Sequence, residues 1–101
     1  MKYGYINQFT AQPGKRDELV AILLQAAQAL EANRDCIQYV VGVAAQPETV
    51  WVTEVWTSKQ AHDAALEPED VKATIARAMP LIASISNVAE QQIAGGKGLN
   101  E

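Results

Sequence analysis

The stretch VWVTEVWT at residues 50–57 sets the tightest limit on what this chain can become. Its β-branched and aromatic residues mark a strand. Successive side chains of a strand point to opposite faces, so Trp51 and Trp56 look in opposite directions. An antiparallel strand with one wet face would alternate apolar and polar residues. This one is apolar on both sides, and it needs cover above and below.

Its neighbours read as partners for it. Residues 3–10 alternate, with Tyr3, Tyr5, Asn7 and Phe9 on one face, until Pro13-Gly14 breaks the pattern. Residues 36–45 form a second strand in which Tyr39, Val40, Val41, Gly42, Val43 and Ala44 are almost all apolar or small. Pro47-Glu48-Thr49 reads as a hairpin connection into residues 50–57, and a last strand fits residues 85–93.

Between strands the period becomes helical. Residues 15–32 place Leu19, Leu23, Ala26, Ala27 and Leu30 on one stripe, with Asp17 and Glu18 near the positive end of the helix dipole. Ser58 is a good N-cap for a short helix over residues 58–66. Glu67-Pro68-Glu69-Asp70 starts another over residues 71–79, with Val71, Ile75, Ala78 and Met79 as its stripe and Pro80 at its end. The order β-α-β-β-α-β predicts an α+β, ferredoxin-like subunit: one antiparallel sheet with helices on one face. Residues 1–94 make the domain, and Gly95-Gly96-Lys97-Gly98 opens a tail over residues 95–101 that is expected to be flexible.

That topology leaves one sheet face bare, although the second and third strands are apolar on both sides. Burying a large apolar side chain is worth about 1.5–3 kcal/mol, so several of them left in water form a costly patch. A homodimer packed sheet against sheet is the expected remedy.

Charge narrows the partners. Eight basic and twelve acidic residues give a net charge of −4, and the basic ones are scattered, so neither nucleic acid nor an anionic membrane is an expected partner. The single Cys36 can form neither an internal disulfide nor a thiolate metal site. No signal-like or membrane-spanning apolar run is present, which makes the cytoplasm the expected compartment. The glycines of the tail lack the spacing of a phosphate loop.

The chemistry concentrates where the third strand turns into a helix, because Glu54, Trp56 and the only histidine, His62, meet there. His62 reads as a general base or as a helix-surface residue. Trp56 reads as a pocket wall or as core, and Glu54 as a hydroxyl-binding group or a paired buried carboxylate. Asn7 interrupts an aromatic face, so it reads either as a sheet-internal hydrogen bond or as a ligand contact. Tyr39 and Met79 line a pocket or fill the core. With one histidine, a transition-metal site has little support.

FTAQPGKRDELVAIL at residues 9–23, the E-x-W-x-S-x-x-A run at residues 54–61 and ARAMPLI at residues 76–82 resemble the antibiotic biosynthesis monooxygenase family, also called quinol monooxygenase-like. The resemblance spans nearly all of the chain up to residue 93. It implies a dimeric α/β-barrel with a pocket between sheet and helices. It also implies oxygenation of a quinol or an anthrone-type polyketide by molecular oxygen without a cofactor. A haem-degrading branch uses an asparagine on the first strand, a tryptophan and a helix histidine, for which Asn7, Trp56 and His62 are suitable types. The commoner family pattern has its histidine nine residues after the tryptophan, where this chain has Ala65. His62 is one helical turn earlier and faces roughly the same way.

Two classes of function follow. In the first, a cofactor-independent monooxygenase uses His62 as base, Asn7 to orient the substrate oxygen and Trp56 to stack on the ring. Glu54, Tyr39 and Met79 then contact the substrate, a small aromatic molecule. In the second, a non-catalytic dimeric or stress-associated domain sequesters a small apolar molecule. Haem binding or degradation through His62 is a third expectation.

Overall fold

The computed structural model describes residues 1–99. The first strand, β1, is Lys2–Ala11, followed by helix α1, Arg16–Ala29. Strands β2, Cys36–Val43, and β3, Thr49–Trp56, form a hairpin. Helices α2, Lys59–Ala64, and α3, Glu69–Ala78, lead to the last strand, β4, Ile82–Ile93. The four antiparallel strands lie in the order β2-β3-β1-β4, the ferredoxin-like arrangement expected from the sequence. Among the described residues no helix is long and apolar enough to cross a membrane.

Element ends moved by a few residues, each for a local reason. The last turn of the first helical run tightens into a 3-10 turn, Leu30–Ala32. Pro80 occupies a second 3-10 turn, Met79–Leu81, instead of leading into a loop, and β4 therefore starts at Ile82, three residues early. In the β2–β3 hairpin Glu48 takes a left-handed backbone, φ 66°. Such a conformation costs a residue with a side chain on the order of 1 kcal/mol. It is held by Ala11 N–H donating to Glu48 O at 2.8 Å and Gly14 N–H donating to its Oε2 at 2.6 Å.

Register fixes which residues share a face. Tyr5 pairs with Glu54, Asn7 with Val52 and Phe9 with Val50, so these side chains all rise toward the helices. Tyr39 joins them, since it pairs with Glu54 from the other side. The core lies beneath α1, where Leu19, Leu23, Val50, Val52, Ala11 and Ala78 are buried.

The outer face carries Ile6, Val40, Trp51 and Val55. Gly4 leaves room there for Ile93 to fold inward, since a Cβ on Gly4 would sit 2.7 Å from Ile93 Cδ1. Beyond β4 the chain returns to β2, where Gln38 Nε2 donates to Gly98 O at 3.3 Å. The end of the expected tail, residues 100 and 101, lies outside the described residues.

Candidate active site

Trp56 ends β3, and Ser58 starts α2 in extended geometry, its Oγ accepting from the Ala61 N–H at 3.1 Å. Thr57 ties this bend to Asp35, donating from its backbone N–H and from its hydroxyl at 2.9 Å each. The cap sets the phase of the helix. His62, one turn on, is thereby turned inward and is only 7% exposed. The helix-surface alternative for His62 is set aside.

Three aromatic rings surround the imidazole. Tyr5 lies 4.6 Å from it between centroids, Tyr3 5.6 Å, and Trp56 5.6 Å edge-on. Nδ1 is 2.9 Å from Asp63 Oδ1, an assignment in which Nδ1–H donates and Nε2 is left to accept. Asp63 is held below its ordinary carboxylate value, chiefly by this hydrogen bond, with Lys59 adding to it.

Nε2 faces Glu54 Oε1 at 3.9 Å. The same oxygen accepts from Trp56 Nε1–H at 2.9 Å. Burial raises the Glu54 carboxyl above its usual range, while the indole hydrogen bond and His62 pull in the opposite direction. Glu54 therefore holds a proton more tightly than a free glutamate. Among the described residues its Oε2 makes no hydrogen bond, and no sealed side-chain oxygen or nitrogen lacks a partner. Oε2 must then reach the adjoining space.

That space is a cavity of about 460 Å³ between the sheet and the helices. Tyr5, Asn7, Phe9, Tyr39, Glu54 and Trp56 form its floor. His62, Ala65 and Leu66 close one side, and Ile75, Ala78 and Met79 stand over it. Ile75 and Met79 are 42% and 52% exposed.

The residues singled out from sequence thus share one chamber, with differences in detail. Asn7 Oδ1 accepts from Asn87 Nδ2 at 3.1 Å, where β1 and β4 slip register, and the Asn7 amide nitrogen has no partner among the described residues. The sheet-internal hydrogen bond expected of Asn7 is present, and Asn7 also lines the cavity. Trp56 is 2% exposed, its edge against His62 and its N–H on Glu54, so its ring offers no open stacking surface. Tyr5 and Phe9, half-buried on the floor, present that surface instead. Burial raises the Tyr39 phenol, which stays a neutral hydroxyl at neutral pH.

Sequence reasoning missed the ring cage around His62, the Asn87 partner and the contact of Asp63 with the imidazole. The only signal for Asp63 was its place beside the histidine. The alternation of Tyr3 and Tyr5 with the junction in view was the signal for the cage.

A larger, more open groove of about 700 Å³ runs between α1 and β2. It holds no histidine, and burial pushes its Cys36 thiol up to about 11, which makes a poor nucleophile. Glu54 and His62 line the smaller, better enclosed chamber. Among the described residues no group of three or more His, Cys, Asp and Glu side chains converges to hold a metal ion. Haem ligation asks for an open histidine nitrogen. His62 turns Nδ1 to Asp63, and its Nε2, though without a hydrogen bond, sits inside the ring cage 3.9 Å from the buried Glu54 carboxyl, which crowds an iron out of that position.

Residues 3–77 match the family model described as antibiotic biosynthesis monooxygenase. The chain belongs to that family. A crystal structure from Chloroflexus aurantiacus, described as a candidate antibiotic biosynthesis monooxygenase, is 38% identical over 99% of this chain and 100% of that one, with a TM-score of 0.89. Two more proteins described in the same way share the fold. The Deinococcus radiodurans structure is 20% identical over 95% of each chain with a TM-score of 0.80. The one from Caulobacter crescentus is 23% identical over 84% of this chain and 85% of that one, with a TM-score of 0.76. No curated protein matches the chain. The histidine position of the antibiotic biosynthesis monooxygenase pattern, Ala65, lies on the same cavity wall as His62.

Proposed function

We propose that this family member oxygenates a small quinol or anthrone-type aromatic with molecular oxygen and no cofactor. The observation that carries this reading is His62 Nε2 facing Glu54 Oε1 at the end of an apolar cavity floored by Tyr5 and Phe9. A neutral phenol lies flat on those rings and gives its proton to His62, held in orientation by Asp63. The Asn7 amide nitrogen donates to the substrate oxygen and stabilises its charge.

The resulting anion is electron-rich and passes an electron to oxygen. The two radicals join at a ring carbon, and the hydroperoxide so formed takes a proton from the imidazolium. Loss of water leaves a carbonyl at that carbon. For a simple hydroquinone the sum is quinol plus dioxygen to hydroxyquinone plus water, with one oxygen atom in each product. Tyr39 and Met79 bound the ring from the floor and the roof.

A homodimer joined through the outer sheet face completes this reading, and the cytoplasm is its setting. Val40, 54% exposed, and the partly exposed Trp51 and Ile6 support that interface. Oxygen uptake tests the reaction: wild type consumes oxygen with at least one member of a quinol panel, and His62→Ala abolishes the rate above autoxidation. Uptake no faster than autoxidation for every member contradicts catalysis. Quinol binding retained in that case identifies a sequestering domain.

A further inference from the structure

We infer that the cavity selects neutral hydroxylated aromatics and rejects carboxylated ones, with Glu54 as the specificity-determining residue. This rests on the cavity being the ligand site of the proposed reaction. Phenolic aromatics occur both as neutral rings and as ring carboxylates of nearly the same shape, so charge is a distinction the pocket can make.

The wall carries the inference. Among the described residues, no Lys or Arg lines the chamber. Its ionisable carboxyls are Glu54, 8% exposed at the inner end, and the exposed Asp70 at the rim. A ligand carboxylate would therefore pass one acidic group and settle near another, among Leu23, Ala26, Ile75 and Ala78, with no cation to meet it. His62 does not reverse this, because Asp63 and Glu54 flank its two nitrogens.

A neutral hydroxyl fits the same wall well. It can donate to Glu54 Oε2, accept from the Asn7 amide nitrogen, and leave the ring on Tyr5 and Phe9. An ammonium ligand can pair with Asp70 at the rim or with Glu54 at the inner end, but it gives up its hydration in the apolar middle between them. Neutral rings are thus preferred over both charged kinds.

Calorimetric titration of three hydroxynaphthalenes with one substitution pattern tests the inference: the carboxamide, the carboxylate and the aminomethyl derivative. The carboxamide and carboxylate share size and shape and differ in charge. Wild type is expected to bind the carboxamide at least about tenfold more tightly than either charged ligand. Glu54→Gln can still accept from the Trp56 indole and should narrow the gap between carboxamide and carboxylate to about threefold or less. Equal binding of carboxamide and carboxylate by wild type overturns charge selection and leaves the cavity reading standing. An aminomethyl ligand that binds as well as the carboxamide also overturns it. Binding of none of the three overturns both. An unchanged gap in Glu54→Gln that keeps the wild-type melting curve removes Glu54 from the role.

Discussion

His62 Nε2 and Glu54 Oε1 face each other at 3.9 Å, with side chains only 9% and 10% exposed. That separation is too long for a direct hydrogen bond. A ligand hydroxyl that enters beside the pair can donate to Nε2, the nitrogen left to accept.

The same burial makes folding sensitive to pH. Glu54 has its carboxyl raised above the ordinary 4.5, mainly by burial. As pH rises past that value the unfolded chain loses the proton first, so the folded state binds more protons and stability falls with pH. Glu54→Gln cannot titrate. Urea unfolding should therefore show the variant gaining stability relative to wild type as pH rises above 4.5. A difference that stays constant with pH contradicts the raised carboxyl.

Asp63 should report on the imidazole from the surface. Its carboxyl lies below 3.8, chiefly through the hydrogen bond from His62. Carbon-detected NMR titration should find it below that value in wild type and moved upward in His62→Leu. Identical titrations in the two proteins would show that no such bond exists.

The bend after β3 depends on one hydroxyl. Ser58→Ala removes the acceptor for the Ala61 N–H, and loss of such a cap costs about 1 kcal/mol. The unfolding free energy from denaturant titration should fall by that amount. A change within error would mean that α2 is held by packing alone.

The outer face should hold two copies together. Light scattering at micromolar concentration should give twice the chain mass of 10.9 kDa, and Trp51→Glu should weaken association by at least about tenfold. A wild-type mass of 10.9 kDa refutes the interface.

Much of the fold was legible because its signals are local and periodic. The alternation of Tyr3, Tyr5, Asn7 and Phe9 fixed a strand and its inner face together, and register then placed Tyr5 beside Glu54. The boundary at Ile82 was not legible, since Pro80 serves a 3-10 turn as readily as a loop. His62 could be placed on a helix but not turned inward, because the phase of α2 follows from the Ser58 cap and the Asp35 tie. Trp56 was readable as large and apolar. Its loss of open surface depends on Glu54 and His62 arriving at its edge, which only the three-dimensional packing brings about.

The two indole N–H groups report on opposite faces of the sheet, Trp56 beside the cavity and Trp51 outside it. Proton–nitrogen NMR during titration with the hydroxynaphthalene carboxamide follows both at once. Occupation of the chamber beside His62 predicts that the Trp56 resonance moves with ligand while the Trp51 resonance stays in place. Saturable binding that shifts Trp51 and leaves Trp56 unmoved would put the ligand elsewhere and contradict the assigned site.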